Sequence, residues 1–227
     1  SADLAYGSTT ALALPDTTVK IRDNLANDGV LTLPVPGAAN SLQANKALVI
    51  DTELPTAGTV NDGTEDDIQF ISSTTALSAN WAGFSDTVSS IVNYEVALGD
   101  TTADNIVAWT SVGTATANTF ENLSLTNATT YYFNVRATDL AGNVSLIVTS
   151  DGVIVDTDAP VAGNIIDGTE SDIDWDNDTT SLSAVWTGFS DSLSGIQTYE
   201  YAIGTISGGT NVVTWTNNST ATNVTKT

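Results

Sequence analysis

Hydrophobic and polar residues alternate along several segments of the chain with the two-residue period of a β-strand. The clearest case is "YYFNVRAT" from Tyr131, in which Tyr, Phe, Val and Ala occupy every second position. The segments "ALSANW" (76–81) and "NYEVALG" (93–99) alternate similarly. Because successive side chains of a strand point to opposite faces, this pattern predicts strands with one buried face. No helical period competes with it.

Turn-forming segments separate these predicted strands. "NDGTED" (61–66) and "DLAGN" (139–143) are rich in Asp, Asn and Gly, which favour turns. Short strands at this spacing, in about 100 residues, are typical of a two-sheet β-sandwich. The predicted fold class is therefore all-β.

The pattern is repeated within the chain. "DTELPTAGTVNDGTEDDI" at Asp51 returns as "DTDAPVAGNIIDGTESDI" at Asp156. "TTALSANWAGFSD" (74–86) returns as "TTSLSAVWTGFSD" (179–191) at the same offset. Of the 48 positions in 51–98, 26 are identical in 156–203, which identifies a tandem repeat of about 105 residues.

Aromatic residues at equivalent positions of both copies resemble those of a known family. A Trp lies on the predicted second strand (Trp81, Trp186) and a Tyr on the third (Tyr94, Tyr199). With "LTNATTYYFNVRATDLAGNVS", they resemble fibronectin type III or related Ig-like modules. "DLAGNVS" and "VIVDTDAPVAG" resemble a loop and linker in tandem Ig-like repeats of giant bacterial cell-surface adhesins, of the filamentous, gliding-type or RTX-like kinds. The resemblance implies a string of fibronectin type III-like sandwiches.

The repeat and the resemblance divide the chain into three parts. Residues 51–155 are predicted to be a complete sandwich, and 156–227 the N-terminal part of a second, truncated copy. Residues 1–50 are predicted to be the C-terminal part of an upstream Ig-like sandwich, because Asp23 and Asn27 are spaced like Asp139 and Asn143. We expect the sequence to be an excerpt of a longer string. The alternative is a short protein whose ends complement its neighbours by strand exchange.

The charge and composition narrow the possible functions. The chain has 5 Lys and Arg against 27 Asp and Glu, a net charge of −22. This balance argues against nucleic acid and anionic membranes as partners and favours cations. Without Cys and His, disulfides, thiolate zinc sites and Ser-His-Asp triads are excluded. No apolar stretch approaches the roughly 18–20 residues of a membrane span, so we predict no membrane insertion.

Acidic and amide side chains are predicted to gather where a linker enters a module. In a fibronectin-like sandwich this linker lies beside the second–third and sixth–seventh strand loops. Ca²⁺ prefers about six to eight oxygen ligands, which these segments could supply. In related adhesins junction calcium stiffens the string, so the resemblance implies the same here. The predicted ligands are Asp51, Glu53, Asp86, Asp139 and Asn143, with Asp156, Asp158 and Asp191 in the next copy. The alternative is that these residues only form turns.

A second acidic segment occurs in both copies, as "DGTEDDI" and "DGTESDI". It is predicted to form the first–second strand loop at the opposite end of the module, facing the following module. The candidate cation ligands are Asp62, Glu65, Asp67, Asp167, Glu170 and Asp172. The alternative is a solvated polar turn.

Several Asp-Ser/Thr positions resemble the O-glycosylation motif of some gliding Gram-negative bacteria. Short motifs also arise by chance in a Thr-rich chain, which is the alternative. The matching residues are Thr17, Thr87, Thr101, Thr179 and Ser192.

Together these features predict a mechanical rather than a catalytic function. Glu95 and Glu200 recur in every copy, whereas catalytic sites are rarely repeated along a string of sandwiches, so we predict no enzyme. We expect stalk or spacer repeats of a long extracellular adhesin or surface filament on bacteria, stiffened by Ca²⁺ and contacting neighbouring repeats, with fibre assembly as a further possibility. The alternatives are a glycan- or protein-binding module and a spacer in a secreted multidomain enzyme.

Overall fold

The computed structural model describes residues 22–29, 33–36, 38–39, 41, 49–101 and 104–227. These residues contain no helix long and apolar enough to span a membrane. Their regular structure consists of β-strands. In chain order the strands are β1 (Thr59–Asp62), β2 (Phe70–Ile71), β3 (Leu77–Ala82), β4 (Ile91–Gly99), β5 (Val107–Gly113), β6 (Ala117–Phe120), β7 (Thr130–Asp139), β8 (Val148–Thr149), β9 (Val153–Val155), β10 (Asn164–Asp167), β11 (Leu182–Thr187), β12 (Glu200–Ile203), β13 (Val213–Asn217) and β14 (Asn223–Lys226).

Residues 51–155, called the first copy below, form two sheets. One sheet has the strand order β1-β3-β6, and the other has the order β2-β9-β7-β4-β5 with β8 added beside β7. Neighbouring strands are antiparallel except β2 and β9, which run parallel. The predicted all-β sandwich is therefore confirmed.

The acidic segment after β1 carries the chain from one sheet to the other. β1 pairs with β3, but β2 pairs with β9 of the opposite sheet, with Phe70 beside Ile154. Gly63 begins the crossover with a φ of +107°, and an added Cβ would lie 2.7 Å from the carbonyl oxygen of Asp66. This tight turn requires glycine because other residues adopt such a φ at a cost. Residues 63–69 are thus a crossover between sheets.

The core lies between the sheets and contains the predicted inward positions. Phe133 and Val135 of β7 are fully buried. The Tyr94 ring packs edge-on against Trp81, with 5.8 Å between ring centroids. The Tyr131 hydroxyl accepts a hydrogen bond from the N–H of Thr126 at 3.0 Å. That bond closes the corner before β7.

Residues 156–227, called the second copy, repeat the strand pairing of the first. β10 and β11 pair in the same register as β1 and β3, and β14 takes the place of β6. β12 and β13 correspond to β4 and β5. Counterparts of β7 to β9 would fall beyond Thr227 in the numbering. Ile165 is 61% exposed, whereas its counterpart Val60 is 8% exposed.

Candidate metal centre

Three carboxylates meet where the linker enters the first copy. Asp51 lies in that linker, Asp86 between β3 and β4, and Asp139 at the end of β7. One oxygen from each lies within 4.8 Å of the others. These residues, called the junction cluster below, come from three separate segments, which antiparallel strand order brings to one end of the sandwich.

Local hydrogen bonds fix two of these carboxylates and leave one buried oxygen of Asp51 without a partner. Oδ1 of Asp86 accepts the N–H groups of Val88 (2.8 Å) and Ser89 (2.7 Å). Oδ1 of Asp51 accepts the N–H of Glu53 at 3.0 Å, whereas its Oδ2 is buried without a hydrogen-bond partner. Such turns are the reason that Asp favours these positions. They do not satisfy the buried Oδ2 of Asp51.

Asn143 orients the third carboxylate. Its backbone N–H donates to Oδ1 of Asp139 and its Nδ2 to Oδ2, both at 2.8 Å, and Nδ2 also reaches the carbonyl oxygen of Asp51 at 3.3 Å. Burial acts to raise the pKa of Asp139, but the bonds from Asn143 and the Gly142 N–H together lower it below its ordinary value. Asp139 is thus held as a carboxylate. Asn143 positions this carboxylate and the linker through its Nδ2, and its role as a ligand stays a prediction.

The junction cluster has the chemistry of a site for a hard cation. Its carboxylates carry like charges, and the described ion pairs lie elsewhere, between Arg22 and Asp28 and between Arg136 and Glu95. The Ser89 hydroxyl lies beside the cluster, and its hydrogen bond to Asp139 also helps to lower the pKa of that residue. Carboxylate and hydroxyl oxygens, supplemented by water, suit Ca²⁺. Glu53 contributes a backbone N–H to Asp51 and lies outside the cluster.

The corresponding residues of the second copy form part of the same arrangement. The N–H of Ser194 donates to Asp156 (3.2 Å) and to Asp191 (2.8 Å). Hydrogen bonds from backbone N–H groups, first that of Leu193, lower the pKa of Asp191 despite desolvation. The counterpart of Asp139 would fall beyond Thr227.

Asp158, also predicted as a ligand, contacts the first copy instead. Its Oδ2 accepts Nδ2 of Asn127 at 2.8 Å, and Oδ1 of Asn127 accepts the N–H of Thr157 at 2.8 Å. Asn127 lies in the loop between β6 and β7. The linker between the two copies is therefore hydrogen-bonded to the first copy through Asn127 and to the second through Asp156.

A second acidic cluster lies at the crossover after β1. Oxygens of Asp62, Asp67 and Asp151 lie within 4.8 Å of one another. Asp151, in the turn before β9, was not predicted, because the sequence contains no repeated counterpart of it that would mark it. The prediction that this segment lies at the end of the module, facing the next one, was wrong. The pairing of β2 with β9 places it instead at the edge of the sandwich, where the chain crosses from one sheet to the other.

The other predicted residues of this acidic segment lie outside the crossover cluster of Asp62, Asp67 and Asp151. Glu65 is exposed and accepts a hydrogen bond only through its backbone carbonyl, from Asn80 at 3.1 Å. In the second copy the N–H of Asp167 donates to Asp172 at 3.1 Å, as that of Asp62 does to Asp67 at 2.8 Å. Asp167 and Glu170 are exposed there.

The described positions with the glycosylation pattern are accessible. Their side chains are exposed, as glycosylation requires. Glycosylation itself stays a prediction. These residues are Thr87, Thr101, Thr179 and Ser192. Thr17 lies outside the described residues.

The hydrogen bonds around Asp139 recur near the start of the described chain. Asn27 donates its backbone N–H to Oδ1 of Asp23 (2.9 Å) and its Nδ2 to Oδ2 (2.8 Å). The pKa of Asp23 is lowered, chiefly by the side chain of Asn27. The assignment of 1–50 to the tail of an upstream module stays a prediction. Most of those residues lie outside the described part of the chain.

Comparisons with known proteins gave structural likenesses without a close relative. No protein-family model matches the chain. No curated protein matches it either. The similar solved structures include a crystal structure of three domains from titin, at 27% identity over 46% of this chain and 32% of that one, with a TM-score of 0.32. A titin module from human cardiac muscle is 19% identical over 45% of this chain and 91% of that one, with a TM-score of 0.30.

The FN1–FN3 domains of chicken CNTN1 give a TM-score of 0.33 at 15% identity, over 76% of this chain and 55% of that one. The chain thus spans about a third of the titin three-domain structure and just over half of the CNTN1 structure. These are Ig and fibronectin type III modules. At such TM-scores they add no functional argument, and the fold assignment depends on the strands described above.

Proposed function

We propose that this chain consists of structural spacer modules whose entering linkers are fixed by Ca²⁺. The observation that carries the proposal is the junction cluster, in which the linker residue Asp51 meets Asp86 and Asp139 of the sandwich. An ion bound there would join the linker to two loops of the module. A string of such modules would resist bending at its junctions.

The buried oxygen of Asp51 favours an ion over turn chemistry alone. A buried charged oxygen without a hydrogen-bond partner is costly, and a cation would offset this cost together with the repulsion among the three carboxylates. Turn formation accounts for Oδ1 of Asp51 and Oδ1 of Asp86. It leaves Oδ2 of Asp51 unexplained.

The contacts between the copies support a stiff string. Asn127 and Asp156 attach the intervening linker to both copies by hydrogen bonds. Extreme negative charge would keep neighbouring strings apart and soluble. With the internal repeat and the family resemblance, these features support a stalk of an extracellular bacterial adhesin or surface filament.

Trp109, an aromatic residue that could bind a glycan, is covered on one face by Arg136. The guanidinium of Arg136 lies 4.4 Å from the ring centroid of Trp109 and pairs with Glu95 at 2.8 Å. Trp109 is therefore occupied on one face. Glu95, the repeated carboxylate considered for catalysis, is held in an ion pair.

Thermal unfolding of the 227-residue chain in Ca²⁺ and in EDTA tests the proposal. Binding to the native state alone raises stability by RT ln(1 + [L]/Kd), about 2.7 kcal/mol at a hundredfold excess over Kd. We expect a higher melting temperature with millimolar Ca²⁺. An unchanged temperature would contradict the calcium junction, and glycan-array binding would favour the adhesion-module alternative instead.

A further inference from the structure

We propose that Asp62, Asp67 and Asp151 form a second site for Ca²⁺ or a similar oxygen-preferring divalent cation, which joins the two sheets of the sandwich. The proposed site is independent of the junction cluster and of a spacer function. It uses a different set of ligands, at the crossover rather than at the linker.

The central observation is a fully buried carboxylate with an unused oxygen. Asp62 ends β1 and is 0% exposed. Its Oδ2 accepts the N–H of Gly152 at 2.9 Å, but its Oδ1 is buried with no hydrogen-bond partner. Buried charged oxygens are normally paired or coordinated to a metal. Burial raises the pKa of Asp62 to about 6, against hydrogen bonds from Ser150 and Gly152, and the charges of Asp67 and Asp151 raise it further.

The surrounding backbone places two more carboxylates beside Asp62, with one oxygen of each residue within 4.8 Å of the others. The N–H of Asp62 donates to Oδ1 of Asp67 at 2.8 Å, and the N–H of Ile68 donates to the carbonyl oxygen of Asp62 at 2.9 Å. These bonds close the crossover loop around Asp62. On the other side, Asp151 precedes Gly152, whose φ of +101° forms the turn before β9.

No protein cation among the described residues is paired with this cluster. Arg136 and Arg22 are engaged with Glu95 and Asp28, and Lys226 lies in β14 of the second copy. The ligand set contains only oxygen, which selects hard cations such as Ca²⁺ over zinc or copper. Remaining ligands would come from backbone carbonyls or water, since Asp67 and Asp151 are exposed to solvent.

The position of the cluster gives the ion a structural consequence. Asp62 belongs to the sheet of β1, β3 and β6, whereas Asp151 precedes β9 of the opposite sheet. A shared ion would bind the two sheets at the edge where the chain crosses between them. In the second copy, Asp167 keeps the bond to Asp172 but is exposed, and the counterpart of Asp151 would fall beyond Thr227. We therefore infer the site for the first copy.

Calcium titration of the full 227-residue chain by calorimetry, with single-site variants, tests this site. Asp151→Asn removes an exposed ligand, and Asp67→Asn keeps an oxygen that can accept the N–H of Asp62, so neither depends on refolding the core. Asp66→Asn is the matched control, because Asp66 is an exposed neighbour outside the cluster. Asp51→Asn removes a ligand of the junction cluster and thereby separates that cluster from the crossover cluster.

We expect Asp151→Asn and Asp67→Asn each to lower the Ca²⁺ affinity of the same class of sites by about tenfold or more. Asp66→Asn should change that affinity by less than about twofold. Asp51→Asn should leave the affinity of that class unchanged and lower the affinity of the junction cluster. Loss of all Ca²⁺ binding in Asp51→Asn, or equal affinities in Asp151→Asn and Asp66→Asn, would overturn the crossover site. If the unmodified chain shows the crossover class of sites but Asp51→Asn changes no Ca²⁺ affinity, only the junction site is contradicted.

A luminescence measurement gives an independent readout. An added Cβ at Gly152 would lie 2.6 Å from Cε1 of Tyr132, so this ring lies beside the proposed site. Terbium, which replaces Ca²⁺ at oxygen sites, should therefore show emission sensitised by Tyr132. We expect Tyr132→Phe and Asp151→Asn to reduce the same Ca²⁺-competed emission component, and emission unchanged in both variants would count against the site.

Discussion

Asn143 holds both oxygens of the Asp139 carboxylate, through its backbone N–H and its Nδ2, at 2.8 Å each. The same side chain reaches the carbonyl oxygen of Asp51 in the linker. One amide therefore links the strand end, the loop after it and the linker. Asn27 and Asp23 repeat the local part of this arrangement upstream.

Replacement of Asn143 by Ala should weaken the junction in two ways. It removes the hydrogen bonds from Nδ2 to Asp139 and Asp51, so we expect metal-free stability to fall by about 1 kcal/mol. Loss of a residue that orients a ligand should also weaken Ca²⁺ binding by about tenfold. Urea denaturation in EDTA and calcium calorimetry measure the two effects.

Asn27→Ala is the matched control for Asn143→Ala. It removes the corresponding bond from Nδ2 to an exposed Asp outside the first copy. Calcium affinity should be unchanged in this variant. An equal loss of affinity in both variants would show that Asn143 does not act through the junction cluster.

Replacement of Asp51 by Asn should reduce the calcium-induced rise in melting temperature and leave only the part that comes from the crossover cluster. Asn retains an oxygen for the N–H of Glu53, and the unpaired Oδ2 makes no hydrogen bond that would be lost. The fold in EDTA should therefore be preserved. Glu53→Gln, which changes the same charge two residues away, should keep the full rise, and a reduced rise in Glu53→Gln would point to nonspecific charge effects.

The buried carboxyl of Asp62 predicts a pH dependence of stability in the metal-free protein. Its pKa is about 6 in the folded state against an ordinary value of 3.8, chiefly because of burial. The folded state therefore retains this proton when the unfolded state has lost it. The contribution of Asp62 to stability should fall as pH rises from about 4 to about 6 and then level off, by on the order of 2 kcal/mol.

Comparison with Asp62→Asn isolates that contribution from the other acids. In EDTA, the stability of Asp62→Asn relative to the unmodified chain should increase between pH 4 and pH 6. Denaturant midpoints across this interval measure the difference. A difference that stays constant with pH would mean that Asp62 titrates at its ordinary value.

Arg136 should stabilise the sheet through two partners at once. It pairs with Glu95, directly opposite on β4, and covers Trp109. A partly exposed ion pair contributes about 0–1 kcal/mol, and a cation–π contact about 0.5–1 kcal/mol. We expect Arg136→Ala to lower the free energy of unfolding by about 1 kcal/mol and to alter Trp fluorescence.

Arg136→Lys separates the two interactions in the same denaturation experiment. Lysine keeps the charge near Glu95 but lacks the planar guanidinium that stacks on Trp109. Its stability should fall between those of the unmodified chain and Arg136→Ala. A value equal to that of the unmodified chain would show that the contact with Trp109 contributes nothing.

The strand pattern of the sequence was sufficient for the sandwich and its interior. Alternation placed Phe133 and Val135 inward and Arg136 outward, because side chains of a strand must point to alternate faces. The repeated Trp and Tyr marked packing partners in both copies. The resemblance also placed Asp51, Asp86 and Asp139 at one end, which depends on strand order alone.

The roles of individual polar residues depended on local geometry that the sequence does not specify. Asn143 and Glu53 lie near the junction as expected, yet the first positions a carboxylate and the second offers only a backbone N–H. Asp158 hydrogen-bonds to Asn127 instead of joining Asp191. A residue type shows which atoms are available, whereas side-chain direction decides which of them meet.

The amino-acid sequence by itself determined the period-two strands, the 105-residue repeat and the absence of Cys and His chemistry, because these depend on residue order and type. Only the tertiary structure decided that the segment after β1 crosses between sheets. That crossover brings Asp62 and Asp67 to Asp151, more than 80 residues later in the chain. The pairing of β2 with β9 creates this contact, and no local pattern encodes which distant strand a short segment will join.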